Sequence, residues 1–149
     1  MKAEDFFQHH TCSDRFRVEF SRELQNVKVE RRQAPAGPAR DDETPLVAEA
    51  LGRLVRQRQL APYLRLEAVG LLGELGTLCL DALPALLAAL DDDYGFIRVA
   101  ACQAMGKIGP AAQAAVGPLR ASAEDKDPGV ERAALKALER ICREELAAH

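Results

Sequence analysis

The strongest constraint on this chain is that one stretch of it is written three times. The segment from Leu64 to Gly76, LRLEAVGLLGELG, aligns position by position with Ile97 to Gly109, IRVAACQAMGKIG. A third copy, VERAALKALERI, runs from Val130 to Ile141. Ile97 follows Leu64 by 33 residues, and Val130 follows Ile97 by 33 again. A unit of that length is too small to bury a core alone, so it must stack on its neighbours.

Each unit carries the marks of two helices. In the second, Leu83-Pro84-Ala85-Leu86-Leu87-Ala88-Ala89-Leu90 forms the first helix, with Pro84 in its first turn where the missing N–H costs nothing. Asp91-Asp92-Asp93 ends it and Gly95 makes the turn. The second helix then runs from about Phe96 to Ile108, and Gly109-Pro110 stops it. The third unit follows the same plan: Gly117-Pro118-Leu119 opens, Glu124 to Asp127 closes, and Pro128 starts the second helix. In the first unit Thr44-Pro45 is a start signal before Leu46 to Leu51, and the inter-helix turn around Arg56 to Pro62 is longer. The units span about residues 44–76, 77–109 and 110–145 of a repeat domain at 44–149. Residues 1–43 form an extension and linker.

Composition agrees with stacked helices. The chain has 149 residues, 48 % of them hydrophobic, but aromatics make up 5 % and Trp is absent. The core must therefore be Ala, Leu, Val and Ile, with Leu, Ala, Arg and Glu supplying helix propensity. At 100° per residue, Leu64, Ala68, Leu71, Leu72 and Leu75 share one side of their helix. So do Ile97, Ala101, Ala104, Met105 and Ile108, and then Val130, Ala134, Ala137, Leu138 and Ile141. These are the expected core stripes.

The string from Asp92 to Gly109 resembles HEAT-like repeats of the phycobilisome-lyase type, over about residues 44–145. The resemblance implies an all-α, right-handed α-solenoid of about three helix pairs, with the second helices lining the concave face. It also implies a ladder between units, an Asp near the end of a first helix meeting an Arg at the start of a second helix. Asp92, Asp125, Arg65 and Arg98 occupy those positions, and Glu131 stands where the last Arg would be. It does not imply lyase activity. HEAT-type hydroxylases place His-Glu pairs on their second helices, and this chain has none.

Opposite the core stripe, the second helices carry Leu66, Val69, Gly70 and Gly73, then Val99, Cys102, Gln103 and Gly106, then Arg132, Leu135, Lys136 and Glu139. Two units are thus apolar on the side expected to face the groove. Either these positions contact a partner or the extension, or they are interior because each solenoid helix packs on two sides. The candidate contacts are Leu66, Val69, Val99, Cys102 and Leu135 for burial, with Gln103, Lys107, Arg132, Lys136 and Arg140 for orientation.

The extension is not repetitive. Pro35-Ala36-Gly37-Pro38-Ala39-Arg40-Asp41-Asp42 reads as a linker. Before it, Phe16, Phe20, Leu24 and Val27 fall at helical spacing, which is the preferred reading of residues 13–32. Phe16, Val18 and Phe20 also alternate, as do Val27 and Val29, which would make a short hairpin. Phe6, Phe7, Phe16 and Phe20 concentrate aromatics here, so the segment is expected to dock or cap, with Phe16 and Phe20 as its contacts.

Nothing in the chain points to chemistry. There is no GxSxG, P-loop or HExxH. His9-His10 suggests solvated side chains, and Asp91-Asp92-Asp93 an acidic turn beside Arg98 rather than a cation site. No metal or other cofactor is expected. Cys12, Cys79, Cys102 and Cys142 lie far apart without a CxxC pair, which fits free thiols in the cytoplasm. Cys79 and Cys102 could hold a thioether-linked chromophore only by analogy. Met1 to Thr11 is polar and does not read as a secretory signal, and no run of ~18 apolar residues exists, so no membrane span is expected. The net charge of −3 argues against nucleic acid. The expected function is a non-catalytic protein-interaction module, a scaffold, adaptor or assembly factor. Nucleic-acid binding through Lys107, Arg132, Lys136 and Arg140, or an accessory role in a bilin-lyase-like enzyme, are the alternatives. An open end of so short a stack could also pair with its own copy.

Overall fold

The computed structural model describes residues 7–12, 16–21, 27–31 and 44–147. The first helix pair is α1 (Thr44–Arg56) and α2 (Pro62–Leu75). A 3-10 turn over Gly76–Ala82 leads to the second pair, α3 (Leu83–Ala89) and α4 (Gly95–Ile108). A second such turn, Gly109–Ala115, leads to α5 (Val116–Ser122) and α6 (Pro128–Ala147). Residues 44–147 form an all-α, HEAT-like solenoid: α2 packs on α4, and α4 on α6.

The boundaries follow local chemistry. Gly76 and Gly109, one repeat apart, end α2 and α4 with φ of 57° and 75°. Those angles suit a residue without Cβ. Pro110 then enters the 3-10 turn early, where its lack of an N–H is tolerated. Gly95 opens α4 rather than standing in the turn, and Tyr94 is the residue before it.

The core is the expected aliphatic one. Leu51, Leu54, Leu72, Leu86, Ile97, Met105, Leu119 and Ile141 are fully buried. Two close approaches set the spacing of the second helices. A methyl group in place of the Gly73 hydrogen would sit 3.0 Å from the Ala104 Cα. One at Gly106 would sit 3.2 Å from the Ala137 Cα. Both members of each contact shift by 33 residues, so the repeat carries the inter-helix distance with it. Gly73 and Gly106 are therefore buried contacts between units, and Gly106 also lines a cleft between α4 and α6.

A 28-residue stretch, Pro62–Ala89, reaches a mean hydropathy of 1.6 over its most apolar window, enough by length and composition to cross a membrane. It is not an uninterrupted apolar run, since Arg65, Glu67, Glu74 and Asp81 fall within it. Its physical cause is the repeat: α2, the 3-10 turn and α3 are all core elements read end to end. The chain breaks direction at Gly76 and again at Cys79, which has non-helical angles. Half of the window is buried inside the stack.

The extension takes the strand reading, not the helix. β1 (Phe7–Cys12), β2 (Phe16–Ser21) and β3 (Val27–Arg31) form an antiparallel sheet in chain order, with β1 near α1. The hairpin anticipated for residues 13–32 is β2–β3, and β1 was not anticipated. The register explains the choice. Val18 pairs with Val29 and Phe20 with Val27, while Arg17 pairs with Glu30 and Glu19 with Lys28. Apolar residues meet apolar ones and opposite charges meet across the strands. The i, i+4 phenylalanines that suggest a helix also fit a period of two. Phe16 and Phe20 lie in β2, and their side chains fall outside the described residues, as does the linker.

Candidate functional site

Two devices hold the second helices in place. The first is the charge ladder. Arg65 at the start of α2 pairs with Asp92, which follows α3, and the two residues are 3 % and 2 % exposed. Asp92 Oδ1 also accepts the Tyr94 N–H at 3.1 Å, and Arg58 stands 3.8 Å from its other oxygen. One repeat on, Arg98 clamps Asp125 with two bonds, Nε to Oδ2 at 3.0 Å and Nη2 to Oδ1 at 3.3 Å. Asp125 Oδ1 accepts the Asp127 N–H at 2.8 Å, the counterpart of the Tyr94 bond. Arg98 also donates to the Asp92 and Asp93 carbonyls at 2.8 and 3.3 Å. In the acidic turn after α3, the Asp92 carboxylate is thus paired with Arg65, and Arg98 ties down the backbone carbonyls of Asp92 and Asp93. Glu131 stands in the next Arg position, on the exposed side of α6.

The Asp127 N–H bond, followed by Arg98, holds the Asp125 carboxyl below the usual carboxylate range. Burial, reinforced by the negative charge of Asp125, pushes the Cys102 thiol up to about 11. Cys102 is consequently a protonated core group.

The second device is the pair of glycine notches. The aliphatic stem of Lys107 lies over Gly73, its Cδ 3.5 Å from where a Cβ would be. The stem of Arg140 lies over Gly106 in the same way, at 3.6 Å. A long side chain thereby covers apolar backbone while its head stays in water.

Between these helices run the clefts that make up the candidate face. The α2–α4 cleft, about 500 Å³, is lined by Leu66, Glu67, Gly70, Glu74 and Gln103 among others. The α4–α6 side holds two adjoining clefts. One of about 480 Å³ is bordered by Val99, Arg132, Leu135 and Glu139. The other, about 330 Å³, is bordered by Gln103, Lys107, Lys136 and Arg140.

Eight of the expected contact residues therefore line one face: Leu66, Val99, Gln103, Lys107, Arg132, Leu135, Lys136 and Arg140. Val69 and Cys102 do not belong with them as contacts. Both are wholly buried, because a second helix packs on its own first helix and on the next second helix. Its buried arc is wider than one stripe, and these two positions fall inside it. Cys102 contributes only the floor of the α4–α6 cleft.

Residues 97–149 match the family model of HEAT repeats. That span covers α4 to α6, about a third of the chain. No curated protein matches this chain. The 33-residue offset carries the same pattern back into α2, and the ladder and the glycine notches recur there with the same partners.

Three exposed aromatics escaped the sequence reading. Tyr63 opens α2, and Tyr94 and Phe96 flank the start of α4. Tyr94 and Phe96 pack ring against ring at 5.2 Å, and Arg65 lies under the Tyr94 ring at 5.7 Å. Their signal was present in the sequence, since Phe96 follows Tyr63 by 33 residues. The opposed charges of the clefts, Glu67 and Glu74 against Lys107, Lys136 and Arg140, were also missed. They emerge only when α2, α4 and α6 stand side by side.

Proposed function

We propose that this chain is a non-catalytic protein-interaction module, a scaffold or adaptor that holds a protein partner on the face of α2, α4 and α6. One observation carries the reading: eight residues from three repeats line a single run of clefts, with Leu66 and Val99 half-buried and Leu135 52 % exposed. HEAT repeats commonly mediate protein–protein contacts, and the family match covers α4 and α6. Within HEAT-like repeats we read the phycobilisome-lyase subtype, supported by the Arg65–Asp92 and Arg98–Asp125 ladder. Among the described residues buried Cys102 and half-buried Cys142 are free thiols, which supports a cytoplasmic setting.

The test is affinity capture from the native cell, with the full chain as bait. Leu66→Glu with Val99→Glu should abolish retention of the partner while helical circular dichroism is preserved. Leu135→Glu, at an exposed position, should weaken retention with no risk to the fold. A partner held equally by the wild type and all of these variants would sink the reading.

A further inference from the structure

The cleft between α4 and α6 is lopsided in charge. Lys107 reaches it from α4, and Lys136 and Arg140 reach it from successive turns of α6. Among the described residues no carboxylate lines this smaller α4–α6 cleft, and Glu139 borders the adjoining one. Among the described residues none of these three cations makes an ion pair, although the chain as a whole carries a charge of −3. The stems of Lys107 and Arg140 are held over the glycine notches, so two of the three charges start from positions fixed by packing. The neighbouring α2–α4 cleft has the opposite character. Glu67 lines it beside Leu66, and among the described residues no cation does. Gln103 borders both.

We infer that the smaller α4–α6 cleft takes the acidic stretch of a mixed-charge peptide segment, whose basic and apolar continuation lies over Glu67 and Leu66. The inference rests on the interaction-module reading above and names the chemistry of the partner. Neighbouring helices stand ~8–10 Å apart, which about three residues of extended chain span at ~3.3 Å each. An acidic group and a basic group about three residues apart would therefore meet both clefts. A nucleic acid fits less well. Its phosphates repeat without change of sign and would meet Glu67. Among the described residues no aromatic side chain lines either cleft for bases to stack on.

The experiment titrates the 15N-labelled full chain at about 50 mM salt, where exposed charges are little screened. The probe is acetyl-Glu-Glu-Glu-Ala-Leu-Lys-Lys-amide. Its control has Gln in place of each Glu, and an octathymidylate is run beside them. The expected result is amide shifts at Gln103, Gly106, Ala133 and Ala137, with the Gln control roughly tenfold weaker. Lys136→Glu with Arg140→Glu, both exposed on α6, should lose the same tenfold. Equal binding of the Gln control, shifts that map away from α4 and α6, or tighter binding of octathymidylate would each overturn the inference. The module reading is judged separately. If capture still depends on Leu66, Val99 and Leu135 while the Glu probe fails, only the acidic assignment falls.

Discussion

Replacing Asp92 by Ala leaves the Arg65 guanidinium in a site that is 3 % exposed, without its carboxylate. It also leaves the Tyr94 N–H without its acceptor. Removing one member of a buried pair costs ~3–5 kcal/mol, because the other charge stays buried and uncompensated. Arg65 keeps a 3.4 Å bond to the Leu60 carbonyl and its place under the Tyr94 ring, so the lower figure of about 3 kcal/mol applies. For a chain of this size that is a fall in Tm of ~6–12 °C. The Arg98–Asp125 pair is an internal control. It has the same role one repeat on, but its side chains are 13 % and 16 % exposed. Arg98 also retains the Asp92 carbonyl. Asp125→Ala should accordingly cost only ~1–2 kcal/mol. Arg65→Met with Asp92→Leu removes both charges and should return to within ~1 kcal/mol of the wild type, since no charge is left stranded. Urea unfolding followed by far-UV circular dichroism measures all four proteins. The reasoning fails if Asp92→Ala costs no more than Asp125→Ala, or if the double replacement is worse than Asp92→Ala alone.

Gly73→Ala and Gly106→Ala should each lose ~1–3 kcal/mol in the same assay, because the new methyl meets the backbone of Ala104 or Ala137. Gly70→Ala, three residues away with nothing within 4 Å of its Cβ position among the described residues, should gain ~0.5–1 kcal/mol from helix propensity. In acid, the depressed Asp125 carboxyl contributes stability that is fully present above its unfolded value of ~4 and is lost as pH falls through the lower folded value. A wild-type denaturation series from pH 5 downward should thus steepen below about pH 4, and Asp125→Asn should remove that component.

Much of the fold was legible because its information is local and repeated. The 33-residue offset, the helix-opening prolines and the acidic turns each act within a few residues of themselves. So did the core stripes, apart from Leu138, which is only half-buried. The ladder was legible through resemblance, as pairs at fixed positions that the structure then brings into contact. The extension was legible only as a choice. Phe16 and Phe20 satisfy a helical and a strand period at once, and the tie was broken by partners on another segment: Val27, Val29, Lys28 and Glu30.

What the sequence by itself determined, then, is the repeat, its length, and which residues form the aliphatic core. Periodicity is a property of one chain segment, and burial on a single helix face follows from it. Tertiary structure alone decided the second packed side of each repeated helix, and so moved Val69 and Cys102 from groove to interior. It alone decided that Gly73 and Gly106 are contacts between units, and that the cations of α4 and α6 gather around one cleft. Those outcomes depend on how far apart two helices stand. That distance is a property of neither helix, but of the small residues where they meet.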